Sequence, residues 1–353
     1  MEPDFEKKIY KIDEQIHELK KYQSLKGIDY SSEILSLEEE KVTELKNIYS
    51  NLTAWQVVQI ARHPKRPVFQ DYLENIITDF KELYGDRCFG DDESIVTGLG
   101  RIGEYKVMII GQNKRGKTKR ADKKIEEINL LLKTNKKSKE NPDLERKREE
   151  LINEQLRCKA GCTNPEGYRK ALLKMKFAEK YNIPVVTFID TPGAYPGICA
   201  EERGQASAIA RNLTEMSRLK VPIISIVIGE GGSGGALGIG VADRVAMLEH
   251  SYYSVISPEG CAAILLRDGK KAEEAAEALK LTSKDLLELK LIDNIIREPL
   301  GGAHRNHRDA FYNVKEYAVK NLNELKRIKI EELLKTRYEK LRNIGKIKSV
   351  SNT

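Results

Sequence analysis

Residues 221–240 combine a buried-strand pattern with the densest run of glycine in the chain. Residues 223–228 read IISIVI, a nearly continuous β-branched run typical of a strand covered by helices on both faces. Residues 229–235 read GEGGSGG, and apolar residues resume at Ala236 and Leu237. A strand, a glycine turn and a helix N-terminus point backbone N–H groups at a negatively charged oxygen. The stretch therefore predicts an oxyanion- or anion-binding loop; the alternative is a tight turn without a ligand.

Length and composition favour one large domain with charged extensions. The chain has 353 residues, of which 40% are hydrophobic and 33% charged. Its apolar runs fall short of the roughly 20 residues that span a bilayer, and its acidic, helical start does not resemble a secretory signal. Five scattered cysteines indicate a reducing compartment, and the CxxxC spacing of Cys158 and Cys162 indicates free thiols rather than a metal site. We expect a cytoplasmic protein, or a stromal one if the source is a plastid.

Helical periodicity brackets the central domain. Residues 1–50 predict an antiparallel helical hairpin that acts as a structural arm, and residues 311–353 predict a helical extension. Within 51–310, alternating helices and strands favour parallel pairing with crossover helices. Helices are expected at 71–84 and 201–219. The loops 190–200 and 229–236 are expected at the carboxyl ends of neighbouring strands, where open α/β sheets bind ligands.

The charge excess of the chain is confined to one insertion. Residues 114–160 contain 16 Lys and Arg against 9 Asp and Glu, a surplus that equals the net charge of +7 of the whole chain. The remainder is therefore close to neutral. The insertion lacks the interleaved aromatic residues that stack on bases, so a solvated segment is favoured over a nucleic-acid contact.

Two short motifs suggest a nucleotide-binding protein. Residues 111–118 read GQNKRGKT, the phosphate-loop pattern, and residues 190–193 read DTPG, as in the switch region of GTPases. However, residues 119–159 are too polar for the helix that must pack behind a phosphate loop. The base-reading Asn-Lys-x-Asp motif is also absent, and the glycine-rich loop would have no role. A P-loop GTPase stays an alternative, but we expect Lys117 not to bind a nucleotide.

The glycine loop also satisfies the GxSxG pattern of serine hydrolases, with Ser233 as the nucleophile. A loop this rich in glycine meets that pattern by composition alone. A hydrolase needs a histidine base, and the histidines that follow are His250, His304 and His307. Hydratase chemistry would instead need carboxylates, for which the loops offer Glu201, Glu202 and Glu230.

Seven segments resemble the α subunit of the acetyl-CoA carboxylase carboxyltransferase, of the multisubunit type found in bacteria and plastids. They read SNLTAWQVVQIARHPKRP (50–67), FIDTPGAYPG (188–197), EERGQ (201–205), ARNLTEMSRL (210–219), VIGEGGSGGALGIG (227–240), YSVISPEGCA (253–262) and LKLIDNIIREPLGGAHRN (289–306). The resemblance extends over nearly the whole chain, in order. It departs at residues 120–157, where the family has only a short connection.

The resemblance implies a crotonase-like (ClpP/crotonase) α/β fold, a spiral of ββα units with an N-terminal helical hairpin and C-terminal helices. It implies transfer of a carboxyl group from carboxybiotin, on the biotin carboxyl carrier protein, to acetyl-CoA, giving malonyl-CoA for fatty-acid synthesis. It also implies an α2β2 complex with a β subunit, which carries zinc and the acetyl-CoA oxyanion hole; no metal is expected in this chain. Another crotonase-superfamily acyl-CoA enzyme, a hydratase or a different acyl-CoA carboxyltransferase, stays an alternative.

By motif position, the resemblance assigns the biotin oxyanion to the glycine loop. The expected donors are the backbone amides of Gly234, Gly235 and Ala236. The residues expected to line the same pocket are Pro192, Gly193, Ala194, Gly231 and Gly232. We also expect a positive φ at Gly235, since a glycine turn permits one.

Overall fold

Two antiparallel helices form the first fifty residues. The computed structural model describes residues 3–114, 125, 127–131 and 142–345. Helix α1 is Lys7–Lys26 and helix α2 is Ser31–Ser50. Gly27 ends α1 with a φ of +67°, a conformation that glycine adopts at little cost. Ile12 and Ile16 pack against Ile34 between the two helices, as the helical spacing of these apolar residues requires.

Eight strands in the described part of the chain form a single sheet. They are β1 (Thr78–Glu82), β2 (Ile95–Ile102), β3 (Tyr105–Gln112), β4 (Val185–Thr191), β5 (Ile223–Gly232), β6 (Arg244–Leu248), β7 (Tyr252–Ser254) and β8 (Asn294–Ile296). Their order is β1-β2-β3-β4-β5-β6-β8, and β7 pairs with the last residues of β5. The first three strands form an antiparallel meander, and every later pairing is parallel. The predicted mixture of helices and largely parallel strands is confirmed.

Helices come before, between and after the strands along the chain. In chain order after α2 they are α3 (Ala54–Ala61), α4 (Phe69–Ile76), α5 (Pro142–Arg157), α6 (Pro165–Lys180), α7 (Ile198–Glu202), α8 (Gln205–Met216), α9 (Ser233–Leu237), α10 (Pro258–Leu265), α11 (Ala272–Leu279), α12 (Ser283–Glu288), α13 (His307–Leu325) and α14 (Ile330–Asn343). Helix α5 belongs to the charged insertion. Much of the rest of that insertion, including Lys117, lies outside the described residues.

The central strand β5 is buried on both faces, which explains its uninterrupted apolar sequence. Ile224 and Ile226 pack in one core layer with Phe69 and Phe311, from α4 and α13. Val227 packs in the other layer, with α6 residues such as Tyr168 and Met175. Each fully buried side chain of this size stabilises the fold by about 1.5–3 kcal/mol. The two layers fix the end of β5, and with it the glycine loop.

Two of the predicted helices were wrong. The helix expected at 71–84 ends at Ile76, and β1 follows it. Pairing with β2 decides this segment: Gly98 leaves room for the ring of Phe80, whose Cε2 would lie 2.5 Å from an added Cβ. The helix expected at 201–219 is split into α7 and α8 by Gly204, which has a φ of +82°.

A buried carboxylate fastens the helical arm to the central domain. Glu6 is fully buried and accepts hydrogen bonds from the hydroxyls of Tyr10 (2.9 Å) and Tyr49 (2.5 Å) and from Arg305 Nε (3.3 Å). His304 Nε2 lies 3.4 Å from it. Burial raises the pKa of Glu6, but the contacts with His304, Tyr49 and Arg305 outweigh burial and hold the pKa well below its ordinary value.

Candidate functional site

The glycine-rich stretch forms the carboxyl end of β5 and the single turn of α9. Gly231 and Gly232 are the last two residues of the strand. Gly234, Gly235 and Ala236 lie in the first turn of α9, which has Gly232 as its N-cap. The N–H groups up to Gly235 have no acceptor within the helix, and Ala236 is the next residue. The structure thus brings the three expected donors together, with Gly235 and Ala236 buried.

The expected positive φ at Gly235 was wrong. The left-handed residue of this turn is Ser233, with a φ of +50°, whereas Gly235 is not in the left-handed region. Gly235 is required for space instead: an added Cβ would overlap the backbone of Gly193 and Ala194. The same holds at Gly232, where a Cβ would overlap the carbonyl group of Pro192. Glycine here permits close approach of two loops rather than an unusual backbone angle.

The second loop, Pro192, Gly193 and Ala194, follows β4 directly. Strands β4 and β5 are parallel neighbours, with Thr191 opposite Gly231. The hydroxyl of Thr191 accepts a hydrogen bond from the Gly193 amide (3.0 Å) and shapes the turn. The expected proximity of the two loops at the carboxyl ends of neighbouring strands is therefore confirmed.

An apolar cavity of about 360 Å³ opens beside the first turn of α9. Ser233 and Gly234 lie at one side of it, and its aliphatic wall includes Leu237, Val241 and Val255. No histidine or carboxylate is among the described residues that line it, and the charged group on its wall is Lys340. Of the three expected donors, Gly234 lines this cavity, whereas Gly235 and Ala236 lie buried behind it. A small apolar ring with one polar edge would fit such a space.

A second cavity, of about 290 Å³, contains a cluster of ionised groups. Glu230 accepts hydrogen bonds from Arg62 Nε (2.7 Å), Lys114 Nζ (2.5 Å) and the hydroxyl of Tyr252 (2.7 Å). Lys114 also pairs with Asp190 (2.7 Å). Burial raises the pKa of Glu230, but the charges of Lys114 and Arg62 outweigh it and lower the pKa to about 2.

This ionic cluster weakens the hydratase alternative. A general acid or base works best when its pKa is near the operating pH. The pKa of Glu230 lies far below neutral pH, so its side chain stays an ionised carboxylate. Glu201 and Glu202 are exposed at the end of α7. The roles of Lys114 and Arg62 were missed in the sequence. Lys114 lies inside the segment that matches a phosphate loop, and that match hid it.

The segment that matches the phosphate-loop pattern begins as a strand rather than as a loop. Gly111 and Gln112 are the last residues of β3, hydrogen-bonded in register with β2. The side chain of Lys114 is engaged by Asp190 and Glu230. Lys117 lies outside the described residues, so its expected indifference to nucleotides stays a prediction.

The histidines do not assemble a hydrolase triad around Ser233. The ring centroids of His304 and His63 lie 4.2 Å apart, and both rings are close to Glu6. His250 packs edge-on against Tyr49, and His307 Nε2 contacts the carbonyl oxygen of Lys65 (2.8 Å). Because none of them lines the cavity beside Ser233, nucleophilic catalysis by this serine is not supported.

Among the described residues, one grouping resembles a metal site. Glu6, His63 and His304 are buried, with ligand atoms within 4.8 Å of one another. Yet His63 Nδ1 accepts a hydrogen bond from the Lys65 amide (3.1 Å), and its Nε2 contacts the hydroxyl of Tyr10 (3.1 Å). Glu6 is already surrounded by protein donors, one of them the cation Arg305. We therefore interpret these three residues as a structural contact that holds the N-terminal helical arm against the central domain.

Comparison with known proteins decides the family. The family model described as "Acetyl co-enzyme A carboxylase carboxyltransferase-like" matches residues 2–126 and 144–345. The chain belongs to this family. A relative from Fusobacterium nucleatum, named acetyl-coenzyme A carboxylase carboxyl transferase subunit alpha, is 49% identical, covering 97% of this chain and 98% of its own. A relative of the same name from Geobacter metallireducens is 48% identical, covering 97% of each chain.

Solved structures support the fold. A crystal structure of transcarboxylase 12S, with methylmalonyl-coenzyme A and methylmalonic acid bound, aligns with a TM-score of 0.50 at 20% identity. The alignment covers 75% of this chain, which spans 44% of that chain. The predicted crotonase-like fold and the predicted family are confirmed, over the GTPase alternative. Within the described residues, no helix has the length and apolarity to cross a membrane.

Proposed function

We propose that this chain is the α subunit of an acetyl-CoA carboxyltransferase. It would transfer the carboxyl group of carboxybiotin, on the biotin carboxyl carrier protein, to acetyl-CoA, and so make malonyl-CoA for fatty-acid synthesis. The observation that carries this is the meeting of the α9 amides with the loop of Pro192, Gly193 and Ala194 beside an apolar cavity. Family membership and two bacterial relatives named as this subunit support it.

The residues of this chain act by stabilising charge. When carboxybiotin releases CO2, negative charge develops on its ureido oxygen. The amides of Gly234, Gly235 and Ala236 would donate hydrogen bonds to that oxygen, and one such donor is worth about 3 kcal/mol of barrier. The ureido nitrogen of the biotin anion then takes a proton from the methyl group of acetyl-CoA, and the resulting enolate attacks CO2. No side-chain nucleophile is needed, in agreement with the isolation of Ser233 from histidine.

The proposal includes a β subunit in an α2β2 complex. Transfer generates two anions, the biotin anion and the acetyl-CoA enolate, and one glycine loop cradles one of them. The β subunit would stabilise the enolate and carry the zinc, and the substrate pocket in this chain would include Gly231 and Gly232. We place the reaction in the bacterial cytoplasm, because the relatives come from bacteria.

Co-expression with a candidate β subunit tests the proposal. The purified pair is expected to form malonyl-CoA from carboxybiotin and acetyl-CoA, and the purified chain alone is expected to be inactive. Malonyl-CoA formation by the isolated chain would contradict the two-subunit site. An inactive, properly assembled pair would contradict the proposed reaction.

A further inference from the structure

The peptide that joins Gly235 to Ala236 is held from behind by two buried side chains. The carbonyl oxygen of Gly235 accepts hydrogen bonds from Gln112 Nε2 (2.9 Å) and from the hydroxyl of Tyr168 (3.1 Å). Both side chains are fully buried. The carbonyl is available to them because α9 ends at Leu237: the amide of Ile239 bonds to Ala236 (3.3 Å) rather than to Gly235.

The amide of Gln112 bridges the two loops of the site. Its Nε2 reaches the carbonyl of Gly235, and its Oε1 accepts the backbone N–H of Asp190 (3.1 Å). This orientation is the one that satisfies both neighbours, since the reversed amide would set oxygen against oxygen and N–H against N–H. Asp190 in turn accepts the amide of Glu230 (3.0 Å). One side chain thus fixes the distance between the end of β4 and α9.

We infer that Gln112 and Tyr168 are positioning residues, which aim the Ala236 amide at the biotin oxyanion. A trans peptide group is planar, and its C=O and N–H bonds point in opposite directions within that plane. Anchoring the Gly235 oxygen therefore fixes the direction of the Ala236 N–H. Accepting two hydrogen bonds also polarises the peptide and makes its N–H a stronger donor. The inference rests on the proposed function, because it assigns a purpose to this N–H.

Sequence position explains why these residues escaped notice. Gln112 lies within the segment that resembles a phosphate loop, and Tyr168 lies on α6, more than sixty residues before the glycine loop. Both side chains reach the loop through the core of the domain. The positioning role gives Gln112 a function in this segment that needs no bound nucleotide.

Replacing Tyr168 by Phe tests the inference with a minimal change. Tyr168→Phe removes one donor and keeps the ring, so we expect kcat for malonyl-CoA formation to fall roughly 3- to 10-fold. The KM for carboxybiotin should stay within about twofold, because the oxyanion charge develops in the transition state. The matched control is Tyr72→Phe. Tyr72 is also fully buried, and its hydroxyl has no hydrogen-bond partner in the described structure; kcat should not change.

Gln112→Glu gives a second readout, in the pH profile. The variant keeps an acceptor for the Asp190 amide but sets a carboxylate oxygen against the Gly235 carbonyl, so kcat should fall by about 10- to 100-fold at neutral pH. Protonation turns that oxygen into a donor. The kcat of the variant relative to the wild type should therefore rise as the pH falls, which a role in packing alone would not produce.

Hydrogen exchange separates this inference from the proposed function. In the full-length chain, the Ala236 amide should exchange severalfold faster in Tyr168→Phe than in the wild type or in Tyr72→Phe. If the α–β pair transfers no carboxyl group, the proposed reaction fails, and the exchange rate still decides the positioning role. Equal kcat and equal Ala236 exchange in the two Phe variants would overturn the inference, as would a loss confined to KM.

Discussion

Adding a single methyl group at Gly235 should disable the site while every backbone amide stays in the chain. A Cβ at this position would lie less than 3.0 Å from three backbone atoms of Gly193 and Ala194. Carbon atoms in contact normally lie about 3.5–4.0 Å apart, so the two loops must separate by about 1 Å. A donor at roughly 2.9 Å from the oxyanion would then lie near 4 Å and no longer form a hydrogen bond.

The expected loss follows from that displacement. Loss of one oxyanion donor typically costs about 100- to 1,000-fold in rate, or roughly 3–4 kcal/mol. We therefore expect Gly235→Ala to lower kcat by about this factor, and Gly235→Val to be worse. Ser233→Ala keeps every N–H and should retain most activity. The assay is malonyl-CoA formation with the β subunit present, after thermal melts confirm that each variant is folded.

A matched control and a refuting result make the test decisive. Gly269 lies in a surface turn where an added Cβ meets no atom within 4 Å, so Gly269→Ala should behave as the wild type. A Ser233→Ala variant less active than Gly235→Ala would refute the backbone-donor mechanism and favour a serine nucleophile. Full activity of a folded Gly235→Ala would show that the close approach of the two loops is not required.

Three further predictions concern other parts of the chain. Lys117→Ala should leave carboxyl transfer within a few-fold of the wild type, and calorimetry should detect no Mg-nucleotide binding; micromolar binding that this substitution abolishes would contradict us. Glu6→Gln should destabilise the fold by about 3 kcal/mol, because it leaves Arg305 without its buried partner; an unchanged thermal melt would show that the fastening contributes nothing. Burial lowers the pKa of His63 to about 4, so below pH 6.5 the unfolded chain binds more protons than the folded chain. The melting temperature should therefore fall between pH 6.5 and 4, and it should fall less steeply in His63→Gln. A melting temperature that does not depend on pH would contradict this.

The glycine loop was predictable because its signal is local. A β-branched run followed by GEGGSGG specifies a buried strand and a turn without help from distant residues. The loop after β4 was predictable for a similar reason, since parallel strands end at the same edge. The reason why Gly235 must be glycine was not predictable. It depends on the backbone of Gly193 and Ala194, about forty residues earlier, which a sequence read in order does not bring near.

Long-range partners also explain the other errors. Residues 78–82 read TDFKE, which carries little apolar signal of its own, and pairing with β2 makes them a strand. Lys114 was invisible because its partners, Asp190 and Glu230, are far away in sequence. The domain boundaries near 50 and 310 stay predictions.

Electrostatic balance around the loop connects these scattered residues to the chemistry. Asp190 and Glu230 are carboxylates at the ends of the strands that carry the site, and an unpaired negative charge there would repel an oxyanion. Lys114 and Arg62 pair with them, and Arg62 also pairs with Glu259. The two cations thus screen the carboxylates nearest the loop, so that the amide dipoles can favour the ligand. Lys114 follows β3, whereas Arg62 ends α3. The segments around residues 62, 112, 190 and 230 are therefore connected, because β3, β4 and β5 place this ionic cluster behind the loop that we propose binds negative charge.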